Sequence, residues 1–240
     1  MRRVRSLLPL ALPFLGACGL LQPELIRGSD DGTLFPGARV TWDLVEPSPA
    51  EEPRTATRMQ LELDLSYQSS SFEQDLSGGS VQVDGTYFTG SSGAPLAVDY
   101  DLWRGSLACR IGVRSATGVA FDLIGGLGAS ALSLQASNGV NSARANIEDL
   151  GPLLGLGLSG QATPWLGFYA EARWYGGLAE DSNFTEIEVF DLGLSLGPWR
   201  ATRLLIGLRQ LEYETEENLT LNSEMDLGSS GVFATLAFTF

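Results

Sequence analysis

Along several stretches of this chain, carboxylates and guanidiniums occupy positions of one parity while oily side chains occupy the other. The charged set comprises Glu62, Asp64, Asp122, Glu171 and Asp191, against Arg58, Arg104, Arg110, Arg173, Arg203 and Arg209. Carboxylates two apart, such as Glu62 with Asp64 or Asp99 with Asp101, are residue types that perform general acid–base work when one is held neutral. The groups that would complete such a site are missing. All 15 basic residues are Arg, so the 240-residue sequence offers neither His nor Lys as a base. Nucleophiles activated by His or Lys are thereby excluded, and with His goes the commonest metal ligand. No enzyme activity, cofactor or metal centre is expected. What five acids and six guanidiniums on one face can do is lock together, because the planar fork of Arg grips two carboxylate oxygens at once.

A strand must position them, since only a period of two separates the sets so cleanly. Residues 58–68, Arg-Met-Gln-Leu-Glu-Leu-Asp-Leu-Ser-Tyr-Gln, alternate without exception. Leu166, Phe168, Ala170, Ala172 and Trp174 oppose Glu171 and Arg173, and Val232, Ala234, Leu236, Phe238 and Phe240 repeat the oily parity. Cys109 falls in phase with Trp103, Leu107 and Ile111, an apolar position needing no redox role. Tight turns at 115–118, 162–164 and 197–200 alternate with polar loops near 135–147, 179–185 and 214–230. The pattern predicts strands near 57–68, 97–113, 118–134, 148–161, 166–178, 186–197, 201–213 and 231–240. Eight strands follow. Two weaker segments, 38–44 and 81–87, would raise the count to ten.

The amino terminus reads as an export signal over 1–17: Arg2, Arg3 and Arg5 precede a short apolar run ending at Leu15. Leu15-Gly16-Ala17-Cys18 resembles the lipobox of bacterial lipoproteins, which implies cleavage before Cys18 and lipidation there, and Gly19 implies sorting to the outer membrane. Residues 18–56, rich in Pro, Gly and acids, read as a periplasmic linker with room for an extra strand at 38–45, leaving 57–240 as the barrel. No apolar run after residue 20 is long enough for a spanning helix.

Tight turns alternating with long loops, tryptophans near both strand ends and a terminal Phe resemble the small outer-membrane barrels of the OmpA and OmpX kind. The resemblance implies an all-β, antiparallel, up-and-down transmembrane barrel in a Gram-negative outer membrane, with both termini in the periplasm. It also implies that outer-membrane lipid is a partner and that the barrel-insertion machinery reads Phe238 and Phe240.

A net charge of −14 disfavours nucleic acid. Acids in the loops, Glu73, Asp75, Glu180, Asp181, Glu212, Glu214, Glu216, Glu217, Glu224 and Asp226, make divalent cations the candidate partners there. The expected role is structural or loop-mediated interaction, with an Arg–carboxylate-filled lumen. A narrow pore for small solutes is one alternative. A lipid-anchored, lipocalin-like barrel is another, with Met59, Leu61, Leu63 and Leu65 lining a cavity for an apolar ligand.

Overall fold

A computed structural model describes residues 26–45, 55–76, 79–90, 95–115, 117–177, 185–199, 201–215 and 224–240. The expected export signal, the lipidation candidate Cys18 and the acids Glu180, Asp181, Glu216 and Glu217 lie outside the described residues. The strands are β1 (Ile26–Val45), β2 (Thr55–Gln74), β3 (Ser80–Val83), β4 (Thr86–Thr89), β5 (Leu96–Ser115), β6 (Ala120–Ser137), β7 (Ser142–Thr163), β8 (Leu166–Gly176), β9 (Thr185–Trp199), β10 (Thr202–Thr215) and β11 (Met225–Thr239).

Nine of them close a barrel in the order β1-β11-β10-β9-β8-β7-β6-β5-β2, with β2 returning to β1. The remaining two, β3 and β4, form a separate hairpin. Neither the eight-strand count nor the ten-strand alternative survives. The segment assigned to the linker, 38–45, is the carboxyl-terminal part of β1 and pairs with Leu65–Met59 of β2. The segment at 81–87 folds back on itself, because Asp84 (φ 46°) and Gly85 (φ 74°) both adopt the left-handed backbone of a tight hairpin turn.

An up-and-down barrel with an odd count must close its first and last strands in parallel, and β1 runs parallel to β11 from Ile26 beside Met225 to Thr41 beside Thr239. All other barrel pairs are antiparallel. The start of β1 and the end of β11 therefore lie at opposite rims. An even count would have put both at the same rim, as the expectation of two periplasmic termini required.

The short connections fall where expected, between β5 and β6, β7 and β8, and β9 and β10, on the rim where β1 and β11 end. The loop expected at 135–147 is instead a four-residue turn at 138–141, since β6 and β7 continue pairing out to Ser137 and Ser142. Strands of 20 residues such as β1, β2 and β5 extend about 66 Å, or about 50 Å of height at a barrel tilt of about 40°.

Over that height the two faces exchange character. In the turn-side part the outside is apolar, with Leu63, Leu65, Leu107, Ile111, Leu123, Leu154, Leu156, Phe190, Leu192, Leu194 and Leu236 exposed, and the inside is charged. Cys109 faces outward in this band, half-buried. In the loop-side part the outside is polar, and the inside is a packed apolar core. Ile26, Leu96, Val98, Leu134, Leu211 and Met225 are buried there. The β3–β4 hairpin adds Val81, Val83 and Phe88 to the same cluster, all fully buried. Trp103, Trp174 and Tyr67 sit near the changeover, and Trp42, Trp165 and Phe240 near the turn-side rim.

Candidate functional site

Alternation sends the charged parity into the lumen, and five inward strands contribute to one ion-paired cluster. Glu62 and Asp64 come from β2, Arg110 from β5, Asp122 from β6, and Glu171 and Arg173 from β8. Arg39 of β1 completes it. Its guanidinium holds Asp64 at 2.8 Å and Glu171 at 3.1 Å. Arg110 holds Glu171 at 2.6 Å, Glu62 at 2.8 Å and Asp122 at 3.1 Å. Arg173 bridges Glu62 and Glu171. Arg58 grips Asp122 from the turn side through two nitrogens.

Closer to the apolar core, Arg209 binds both oxygens of Asp191 at 2.7 Å. The same guanidinium lies over the rings of Phe233 and Phe35, 5.2 and 5.6 Å from their centroids. One face meets charge and the other meets aromatic rings, which suits a weakly hydrated planar cation at such a boundary.

Space for these side chains comes from glycines on the neighbouring strands. A Cβ on Gly112 would stand 1.8 Å from Asp122 Oδ1, and one on Gly157 would stand 3.1 Å from Arg110 Nη1. The glycines alternating with leucines on β7 are thus the inward half of the pattern, shaped around the plug.

Four of the five predicted acids, Glu62, Asp64, Asp122 and Glu171, meet Arg58, Arg110 and Arg173 in this network, and the fifth, Asp191, forms a separate pair with Arg209. Arg104 is buried in the lumen but reaches no carboxylate among the described residues; it donates to Ser66 Oγ at 2.9 Å and lies over the Tyr175 ring. Arg203 lies nearer the turn-side rim, apart from the plug. Sequence reasoning missed Arg39, although 38–44 carries the alternation that identifies it. It also missed Asp149, an inward, buried carboxylate beside the apolar core whose two oxygens have no hydrogen-bond partner among the described residues.

Chemically the arrangement is a lock. Each carboxylate of the cluster already accepts bonds from one to three guanidiniums, which leaves none aimed at a substrate. Within these ion pairs five acids are matched by Arg39, Arg58, Arg110, Arg173 and Arg209, so the plug itself balances in charge.

The Phe240 backbone bonds to β1, its N–H donating to Thr41 O at 2.9 Å and its carbonyl accepting from Asp43 N–H at 3.0 Å. Its ring stacks on Trp42 at 6.5 Å on the outer face, and Phe238 shares the outward parity.

On the outside of the loop-side part, acids oppose acids: Glu188 pairs with Glu212, and Glu214 lies between Glu186 and Asp226. No group of three or more His, Cys, Asp or Glu that could hold a metal ion occurs among the described residues. Partial burial, then Asp226, Glu186, Glu212 and Glu188, push the Glu214 carboxyl above its ordinary range. A carboxyl raised by the fold favours the folded state while protonated, and that contribution is lost as pH rises through its raised value. Glu214→Gln is therefore expected to raise the melting temperature at neutral pH by roughly one to three degrees, the size of a solvent-screened cross-strand repulsion. The gain should vanish at about pH 3, where the wild-type carboxyl is also neutral. Thermal scans of both proteins at the two pH values check this.

Comparison with protein-family models, with curated proteins and with solved structures finds no match for this chain.

Proposed function

We propose that this chain is a bacterial outer-membrane barrel with no catalytic or conducting task, anchored a second time through Cys18, whose loop-side rim is its working surface for structure or interaction. The exchange of faces along the strands carries this reading. An apolar exterior around a charged interior suits a barrel wall in hydrocarbon, and a polar exterior around an apolar interior suits one standing in water. A barrel holding both in succession suits a protein that begins in a bilayer and projects beyond it. The lipocalin alternative requires the apolar parity to line a cavity, whereas Leu63 and Leu65 are exposed on the outside. The pore alternative requires an open lumen, and an ion-paired plug followed by a packed core argues against one.

On this reading the anchor sits on the loop side. Cys18 precedes Ile26 by eight residues, a reach of at most about 28 Å, less than the about 50 Å height of the barrel.

The test is extraction of a Cys18→Ser variant from membranes. It is expected to stay in the membrane through high salt and alkaline carbonate and to leave only with detergent. Release without detergent would sink the integral-barrel reading. Steady single-channel conductance of the purified wild type in planar bilayers would sink the sealed-lumen part alone.

A further inference from the structure

Below the plug the lumen widens into a cavity of about 370 Å³ that opens at the turn-side rim. Its floor is the plug itself, presented through Arg39, Glu62, Arg110 and Glu171. Five guanidiniums line it against three carboxylates, an inversion of charge in a chain whose net charge is −14. Arg39, Arg58 and Arg110 are committed to plug carboxylates. Arg114 of β5 and Arg203 of β10 are not; neither has a carboxylate within 4.0 Å among the described residues. Asp43, the lining acid outside the plug, accepts a bond from Gln60 Nε2 at 2.6 Å. Ser159, Gln161, Ser195 and Tyr169 add neutral donors to the wall.

We propose that this vestibule is a dead-end binding site for a small multivalent oxyanion of the phosphate class. Two guanidiniums carry charge that no carboxylate among the described residues pairs with, and each offers a fork matching two oxygens of a tetrahedral anion. The partly enclosing walls raise that attraction somewhat over its value in open water. The closed floor makes the site one of retention, since nothing bound there can pass onward. Hydroxyl and amide groups on the wall can take the remaining oxygens, so the anion need not be desolvated without replacement partners. The vestibule opens on the rim opposite Glu186, Glu188, Glu212 and Glu214, so a phosphate group approaches it without crossing those four carboxylates.

Titration calorimetry of the full chain folded in detergent, with pyrophosphate as the probe at low ionic strength, tests this. One-to-one binding is expected, weakened at least tenfold in an Arg114→Gln, Arg203→Gln double variant and largely retained in Arg114→Lys, Arg203→Lys. Unchanged affinity in the Gln pair, or no heat of binding to the wild type, would overturn the proposal. Should the Gln pair fail to fold, the wild type alone decides. Pyrophosphate is expected to protect Arg114 and Arg203 from phenylglyoxal, read by peptide mass, and equal modification with and without the anion would count against the site. The measurements are made in detergent, so they do not depend on which membrane holds the barrel.

Discussion

Glu171→Gln is expected to cost about 3–5 kcal/mol of stability, the range for removing one partner from a buried charge cluster. Glu171 is nearly inaccessible and answers three guanidiniums, those of Arg39, Arg110 and Arg173. The amide keeps the shape and withdraws the charge, so Arg39, Arg110 and Arg173 are left with Glu62, Asp64 and an Asp122 that Arg58 also grips, in a largely buried space. The effect is read from urea titration of the folded barrel in detergent or liposomes, followed by Trp fluorescence and by the gel mobility of unheated samples. The control lies on the outer surface. Arg27 and Asp226 pair at 2.8 Å, but the Arg27 side chain is 69% exposed, and Arg27→Gln should cost under about 1 kcal/mol. Similar small losses for both variants would mean that the lumen is hydrated and the lock is not closed.

Leu192→Arg is the second large effect and probes the outside. Leu192 lies mid-strand on β9 between the exposed Phe190 and Leu194, in the middle of the apolar band. A guanidinium there, in lipid, is expected to cost about 2–4 kcal/mol, while the same residue introduced near an interface costs about 0–1 kcal/mol. Ser71→Arg supplies the comparison, since Ser71 faces outward on the polar loop-side part of β2 opposite Asp99. Unfolding titrations in liposomes should separate the two variants by at least about 2 kcal/mol. Equal effects would place both residues in water and remove the membrane from the account.

Most of the barrel was legible because strands announce themselves through period two, and a face buried in one medium tolerates no slip of register. That is why Glu62, Asp64, Asp122, Glu171 and Asp191 could be set inward together from sequence. Closure was not legible in the same way. Residues 26–37 carry Gly28, Gly32, Pro36 and Gly37, which read as linker, yet they are held as strand by Met225–Thr235 of β11. The shift of register between Asp31 and Thr33, around Gly32 at φ 98°, breaks the alternation just where a reader would look for it. With 26–37 read as linker, Arg39 goes unassigned to the lumen, whereas Arg203 faces inward as its parity predicts but stands apart from the plug. The apolar core was missed for another reason. Leu96, Val98, Leu132 and Leu134 keep the inward parity, but alternation marks two faces without saying which is wet, and here the answer reverses along a single strand.

The parallel seam also sets an order of events. Strands β2 and β5 through β10 each pair with their nearest barrel neighbours along the chain, so a curved sheet can grow by local hairpins. The last step joins residues 199 apart, as in the bond between Arg27 and Asp226, and must overcome the entropy of closing nearly the whole chain into a ring. Until then β1 and β11 expose unpaired edges, each a template for a neighbouring copy. Space at the join is narrow, for a Cβ on Gly231 would stand 1.8 Å from Thr33 O. A nascent barrel of this kind therefore spends its vulnerable interval as an open sheet, and the time needed for its first strand to find its last governs how long that interval lasts.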